Sequence, residues 1–188
     1  VLEKLIYAFC DSSYIYQENY VDTLSRLQDI FYLYKNESMD ELTDDELIEY
    51  MRKSFAVIGL GRFGRSIAME LSKLGADVMA IDNDEEKVNR LSDYVTCAIN
   101  IDVCDTAALK DSGISNMDAV IVAMADFLEP SIMGVITAKD LGVPLVIAKA
   151  RDHVTGEILD KVGADRVVFP ERESGKRISK QLMCSDFL

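Results

Sequence analysis

The chain has no C-x-x-C pair; its cysteines stand apart at Cys10, Cys97, Cys104 and Cys184. Zinc-ribbon and thioredoxin-like chemistry therefore lack their ligand spacing, and the thiols are expected to be reduced, as in a cytosolic protein. Histidine is almost missing: only His153 occurs, expected at the surface beside Lys149 and Arg151 rather than in catalysis. No H-E-x-x-H, G-x-S-x-G or G-K-[ST] string is present. Zinc proteolysis, a serine elbow and a Walker phosphate loop thus lack support. No run approaches the ~20 apolar residues of a membrane-spanning helix. The first apolar stretch is broken by Glu3, Lys4 and Asp11, unlike a signal peptide. Basic charge is short, with 20 Lys and Arg against 33 Asp and Glu and a net charge of −13. That balance disfavours nucleic acid and anionic membrane surfaces as non-specific partners.

What is present falls into two parts. A chain of 188 residues holds one ordinary domain and a small appendage. Residues 1–50 have no Gly or Pro, carry twelve acids against three bases, and hold seven of the eight tyrosines. This acidic, Tyr-rich leader reads as helical. Thr43 to Glu46 matches a capping box, followed by Leu47, Ile48 and Met51 on one face. Leu24, Leu27, Ile30, Phe31 and Tyr34 recur at helical spacing. Fifty residues give only a thin core, so this face is expected to dock on the following domain or on another chain. Its tyrosines suit either a recognition surface or ordinary packing. Met51-Arg52-Lys53 looks like a natural translation start, so the leader reads as a fused or unusual extension, with the main domain over residues 51–188.

From Ser54 onward strand and helix alternate. Strands are expected over 54–59, 77–82, 95–100, 119–123, 145–148 and 166–169. Helices are expected over 62–74, 84–93, 105–112, 130–141, 153–162 and 173–183. Runs as apolar as AVIVA and LVIA are buried on both faces, which implies parallel pairing with helices above and below. The expected fold is α/β: a doubly wound, parallel, six-stranded Rossmann-like sheet in the order 3-2-1-4-5-6.

Gly59-Leu60-Gly61-Arg62-Phe63-Gly64 is a G-x-G-x-x-G loop between the first strand and its helix. Gly59 permits the tight turn, Gly61 lets a phosphate approach the backbone, and Gly64 lets helix and strand pack closely. The free N–H groups at residues 62–64 attract a phosphate. Asp82 follows 23 residues after Gly59, at the end of the second strand. There it would accept hydrogen bonds from ribose hydroxyls and repel a 2′-phosphate, disfavouring NADP. Asp82→Ala is expected to weaken nucleotide binding and to change fold stability little.

Other groups converge on the carboxyl ends of the strands. Asp102 follows the third strand, where it suits either the adenine region or a helix start. Ala123 leaves space for a nucleotide. Lys149 and Arg151 suit either phosphates or a solvated charge pair. Glu171 suits a ligand, a cation or a helix start. Arg62 can fork onto a terminal phosphate from the same or a neighbouring chain. The candidate cofactor-binding set is Gly59, Leu60, Gly61, Arg62, Phe63, Gly64, Asp82, Asn83, Asp102, Val103, Ala123, Lys149, Arg151 and Glu171. No catalytic or metal-binding residue stands out. A nicotinamide dehydrogenase would need a second domain over the ring, and only one helix and a tail follow the sixth strand.

FAVIGLGRFGRSIAMEL, VMAIDNDEEKV, INIDVCD and KVGADRVVFPE together resemble the KTN or RCK nucleotide-binding domain of Ktr- and Trk-type potassium uptake regulators. The resemblance covers residues 52 to about 183. It implies a cytosolic, non-enzymatic regulatory subunit, peripheral to the inner face of the cell membrane. It implies binding of NAD(H) or ATP/ADP and assembly as a homodimer or an octameric ring under a membrane potassium channel or transporter. Nucleotide exchange would change the dimer hinge and gate potassium flow. Carried over by position, the three glycines hold phosphates and Arg62 faces the terminal phosphate near a dimer interface. Asp82 holds the adenosine ribose, Asp102 contacts the adenine region, and Glu171 lies near an interface cation. Ile101 departs from the small residue usual before Asp102, and the family's C-terminal ligand domain is not seen. The last helix, with Ile178, Leu182 and Phe187, is apolar beyond what one sheet needs, and at least a dimer is expected. The rival readings are a fragment of an NAD-dependent oxidoreductase and a nucleotide or redox sensor for another partner.

Overall fold

The structure is a computed structural model that describes residues 53–183. The chain divides into two units, Val1–Arg52 and Lys53–Leu188. The expectations for the leader, and those for Cys184 and Phe187, lie outside the described residues.

Short runs of β-branched and small apolar residues form six strands. They are β1 (Ser54–Ile58), β2 (Asp77–Asp82), β3 (Cys97–Asn100), β4 (Ala119–Val122), β5 (Leu145–Lys149) and β6 (Arg166–Val168). All pairings are parallel. The order is β3-β2-β1-β4-β5-β6, as the alternation predicts. The helices are α1 (Arg62–Lys73), α2 (Glu85–Leu91), α3 (Thr106–Asp111), α4 (Leu128–Asp140), α5 (His153–Lys161) and α6 (Pro170–Met183).

Strand periodicity of two divides the core between the faces of the sheet. Ala56, Ile58, Met79, Ile81, Val120 and Val122 pack with Leu109, Val135 and Leu159 of α3, α4 and α5. Val57, Val78, Ala80 and Ile121 pack with Ala68, Val88 and Leu91 of α1 and α2. Ile58 and Ile81, both at 1% exposure or less, stabilise by ~1.5–3 kcal/mol each through burial.

Element ends differ from the pattern where single hydrogen bonds decide. β3 starts at Cys97, not at 95: the Thr96 hydroxyl accepts the Val78 N–H at 3.1 Å and donates to Asp77, ending the ladder. α4 starts at Leu128, two residues before Pro130, which sits in the first turn where no N–H is needed. The buried Ser131 hydroxyl lies 2.7 and 2.8 Å from the Met124 and Phe127 carbonyls, and its one proton, shared between these two acceptors, ties the preceding loop to the helix. α6 starts at Pro170 rather than 173, for the same reason as α4. The Glu173 carboxylate accepts the Phe169 N–H at 3.2 Å.

Candidate functional site

The carboxyl ends of β1, β2 and β4 meet where the strand order reverses, and the glycine loop lies across them. Gly59 N–H donates to the Ile81 carbonyl and Ala123 N–H to the Ile58 carbonyl, both at 2.8 Å. Gly59 has φ +91°, and a Cβ there would lie 2.3 Å from Met124 Cγ. A Cβ on Gly64 would lie 2.0 Å from the Gly59 carbonyl oxygen. Both glycines are therefore required by the turn and by the closeness of α1. Gly61 differs: nothing lies within 4 Å of its would-be Cβ. It caps α1 without a side-chain acceptor, and no acid occupies the first turn. The first-turn N–H groups of α1 are left for an anion.

Asp82 is 7% exposed. Its Oδ2 accepts the Leu60 N–H at 2.7 Å and its Oδ1 accepts the Asp84 N–H at 2.9 Å. The Lys87 ammonium donates from 3.2 Å. The carboxylate thus holds the glycine loop to β2 even without a ligand. These bonds argue against the expectation that its removal would leave stability nearly unchanged.

A cavity of about 440 Å³ opens above these strand ends. Of the candidate residues, Gly59, Gly61, Arg62, Phe63, Asp82, Asn83, Asp102, Val103, Ala123, Lys149 and Glu171 line it. Ile101 reaches the cavity beside Asp102 and also packs on the core, so its bulk does not keep Asp102 away. Three candidates are not on the lining. Leu60 turns its side chain into the second core at 3% exposure and offers only backbone. Gly64 is buried beneath Gly59. Arg151 lies beyond the end of β5, exposed, and pairs with Asp152 at 3.3 Å. Its exposure and this pair agree with the solvated-charge reading of the two left open. His153 is 75% exposed and faces Glu157, as expected for a surface residue.

The two ends of the cavity differ in charge. At the α1 end, Lys149 sits 5.5 Å from the centre of the Phe63 ring and donates to Glu171 at 2.8 Å, with Arg62 on the same lining. The Lys149 hydrogen bond, then the Glu171 backbone N–H and the charges of Lys149 and Arg62, hold the Glu171 carboxyl below its usual value. Around the ends of β2 and β3 lie Asp82, Asp84, Lys87 and Asp102, and Asp126 joins the lining from the loop after β4. Sequence reasoning missed Asp84, Lys87 and the Met124–Phe127 loop. The signal for the first two was an acid and a lysine three apart at the start of α2, just after Asp82. The Cys104 thiol is pushed above its ordinary value by desolvation and by the charges of Asp102 and Glu129. Among the described residues there is no group of acidic, Cys or His side chains suited to a metal ion.

A parallel sheet in this order, with a glycine loop and an acid bordering a cleft at the switch point, defines a domain of the Rossmann nucleotide-binding class. Comparison narrows the class. The chain belongs to the TrkA-N domain family, whose sequence pattern matches residues 55–170. A second pattern, that of a family of unknown function (DUF6323), matches residues 1–80. The chain is 43% identical over 138 residues to the Ktr system potassium uptake protein C of Bacillus subtilis (strain 168), covering 73% of this chain and 62% of that protein. It is 40% identical over 130 residues to the Ktr system potassium uptake protein A of the same organism, covering 69% and 59%. It thus spans about three fifths of these relatives. Among solved structures, the GsuK channel bound to NAD superposes with a TM-score of 0.55 at 19% identity, covering 68% of this chain and 22% of that one. The AMP-bound Kef C-terminal domain of Shewanella denitrificans gives 0.58 at 17%, covering 71% and 83%. At these identities the structural likeness bears on the fold alone. Among the described residues no helix is long and apolar enough to cross a membrane.

Proposed function

We propose that this domain binds an adenine nucleotide, NAD(H) or ATP/ADP, and acts as a regulatory, non-catalytic part of a potassium uptake system. The observation that carries the binding reading is the meeting of the open α1 N-terminus, Gly61 and Asp82 on one cavity. In this reading the phosphates lie against Gly61 to Phe63, with Arg62 and Lys149 at the terminal group. The ribose lies at Asp82 and Asn83, and the adenine lies by Asp102 and Val103 over the small floor of Ala123. NAD and AMP, the ligands named for the two structural neighbours, share an adenosine ribose.

The names of the Bacillus relatives support a membrane potassium channel or transporter subunit as partner, and with it a place at the inner face of the cell membrane. Ile178 and Leu182 of α6 are 50% and 74% exposed, which supports assembly as a homodimer or an octameric ring. Ligand exchange would then alter the dimer hinge and gate the partner. The division of the chain after Arg52 supports reading the acidic leader as a fused extension of a main domain that begins near residue 51.

Calorimetric titration with NAD⁺, NADH, ATP and ADP tests the site; binding of none of them refutes it. Consumption of NADH with candidate acceptors would favour the oxidoreductase reading instead. A monomer mass in light scattering at tens of micromolar, with and without nucleotide, would overturn the assembly.

A further inference from the structure

Asp82 has more donors around it than a second ligand allows. Leu60 N–H, Asp84 N–H and the Lys87 ammonium already point at its two oxygens, with Lys87 at 3.2 and 3.4 Å. A carboxylate has about four acceptor positions, and Lys87, bridging both oxygens, takes two of them, so none is free while it stays. A ribose diol donating through both hydroxyls needs two. The Leu60 and Asp84 donors belong to the backbone and are fixed by the glycine loop and by the cap of α2. Lys87 is the one donor on a flexible stem. It is 41% exposed and lies on the cavity lining. It also has a second seat: Asp84 Oδ2 is 3.6 Å from its ammonium. Asp84 Oδ1 meanwhile stays with the Glu86 and Lys87 N–H groups and keeps α2 capped.

We propose that Lys87 is a specificity-determining residue of the ribose subsite: it occupies Asp82 in the empty cavity and shifts to Asp84 when a ribose diol binds. The inference rests on the nucleotide reading above. Every ligand with a full diol competes with the ammonium. A 2′-deoxy ligand donates one hydroxyl and needs only one of the two Lys87 contacts to open, so it competes with the ammonium less. The native site therefore separates ribose from deoxyribose less sharply than Asp82 alone would.

The test is the affinity of the whole chain for ADP and for 2′-deoxy-ADP in the wild type, Lys87→Met and Asp84→Asn. Met keeps the length of the stem and removes the donor. Lys87→Met is expected to bind ADP ~3–10-fold more tightly, with a clearly smaller gain for 2′-deoxy-ADP. Asp84→Asn, which keeps a capping oxygen but removes the charge that receives Lys87, is expected to shift ADP the opposite way. Unchanged ADP affinity in Lys87→Met makes the lysine a bystander, and weaker ADP binding makes it a ligand donor; either overturns the proposal. A gain for 2′-deoxy-ADP equal to that for ADP also overturns it. Failure of both nucleotides to bind any of the three proteins overturns the proposal, and refutes the nucleotide reading itself only if NAD⁺, NADH and ATP also fail to bind the wild type.

Discussion

Replacing Asp82 with Ala tests whether the carboxylate builds the loop as well as receiving a ligand. The substitution removes the acceptor of the buried Leu60 N–H, at 2.7 Å, and of the Asp84 N–H, at 2.9 Å. Leaving a buried N–H without a partner costs ~1–3 kcal/mol, and a hydrogen bond to a charged acceptor is worth ~1.5–3 kcal/mol. The Lys87 contact adds little, because that side chain is 41% exposed and its charge is screened by solvent. Removing the buried charge also relieves some desolvation, which offsets part of the loss. The net expectation is a destabilisation of ~2–4 kcal/mol in the absence of any nucleotide.

At ~3–5 °C per kcal/mol for a domain of this size, the melting temperature of Asp82→Ala should fall by ~6–20 °C. Calorimetric melting of the ligand-free protein, with urea denaturation as a second probe, reads it directly. Asp82→Asn keeps the shape and one carbonyl acceptor, and should lose ~1–2 kcal/mol. An Ala variant melting within ~2 °C of the wild type would refute the reasoning, since the hydrogen bonds to the loop would then contribute nothing measurable.

The remaining expectations concern the glycines, Arg62 and acid pH. Gly61→Ala should leave stability within ~0.5 kcal/mol while reducing nucleotide affinity, because its Cβ enters open space at the phosphate approach. Gly64→Ala should destabilise by ~3 kcal/mol or more, because its Cβ meets the Gly59 carbonyl; urea midpoints of both variants check the contrast. Arg62→Ala should lower ATP affinity about tenfold more than ADP affinity, as an exposed guanidinium on the cavity lining meets the extra phosphate; equal losses in calorimetry would make Arg62 a solvated residue at the start of α1. Burial raises the Asp165 carboxyl, but the Lys139 ammonium and the Val146 N–H outweigh it and hold it below its ordinary 3.8. Its stabilising contribution is therefore complete above that ordinary value and is lost as pH falls through the lower native one. The stability gap between wild type and Asp165→Asn should be widest near about pH 6 and close toward about pH 2; a gap constant with pH would contradict the sign.

The sheet order was readable because the central strands β1, β2 and β4 repeat one physical requirement, burial on both faces, over four to six residues. A single hydrogen bond cannot be read that way. Thr96 ends β3 through one hydroxyl, and Ser131 sets the start of α4 through another; neither residue type announces its partner. Arg151 shows the same limit. Two basic residues after an apolar run look alike, yet Lys149 is the last residue of β5 and Arg151 stands past the buried Ala150, in the turn to α5. The glycine loop was readable because its spacing is geometric: Gly59, Gly64 and Asp82 must sit where they do for β1, α1 and β2 to close on one another. That geometry has a consequence for Asp82. The residue best placed to meet a ribose is also best placed to bind the Leu60 N–H, since both lie at the same strand end. A motif records that an acid is needed there and not which donor needs it. The 2.7 Å bond to Leu60 shows that the loop is one of those donors before any ligand arrives. A ribose would therefore meet a carboxylate already engaged, and would bind by replacing its most mobile partner.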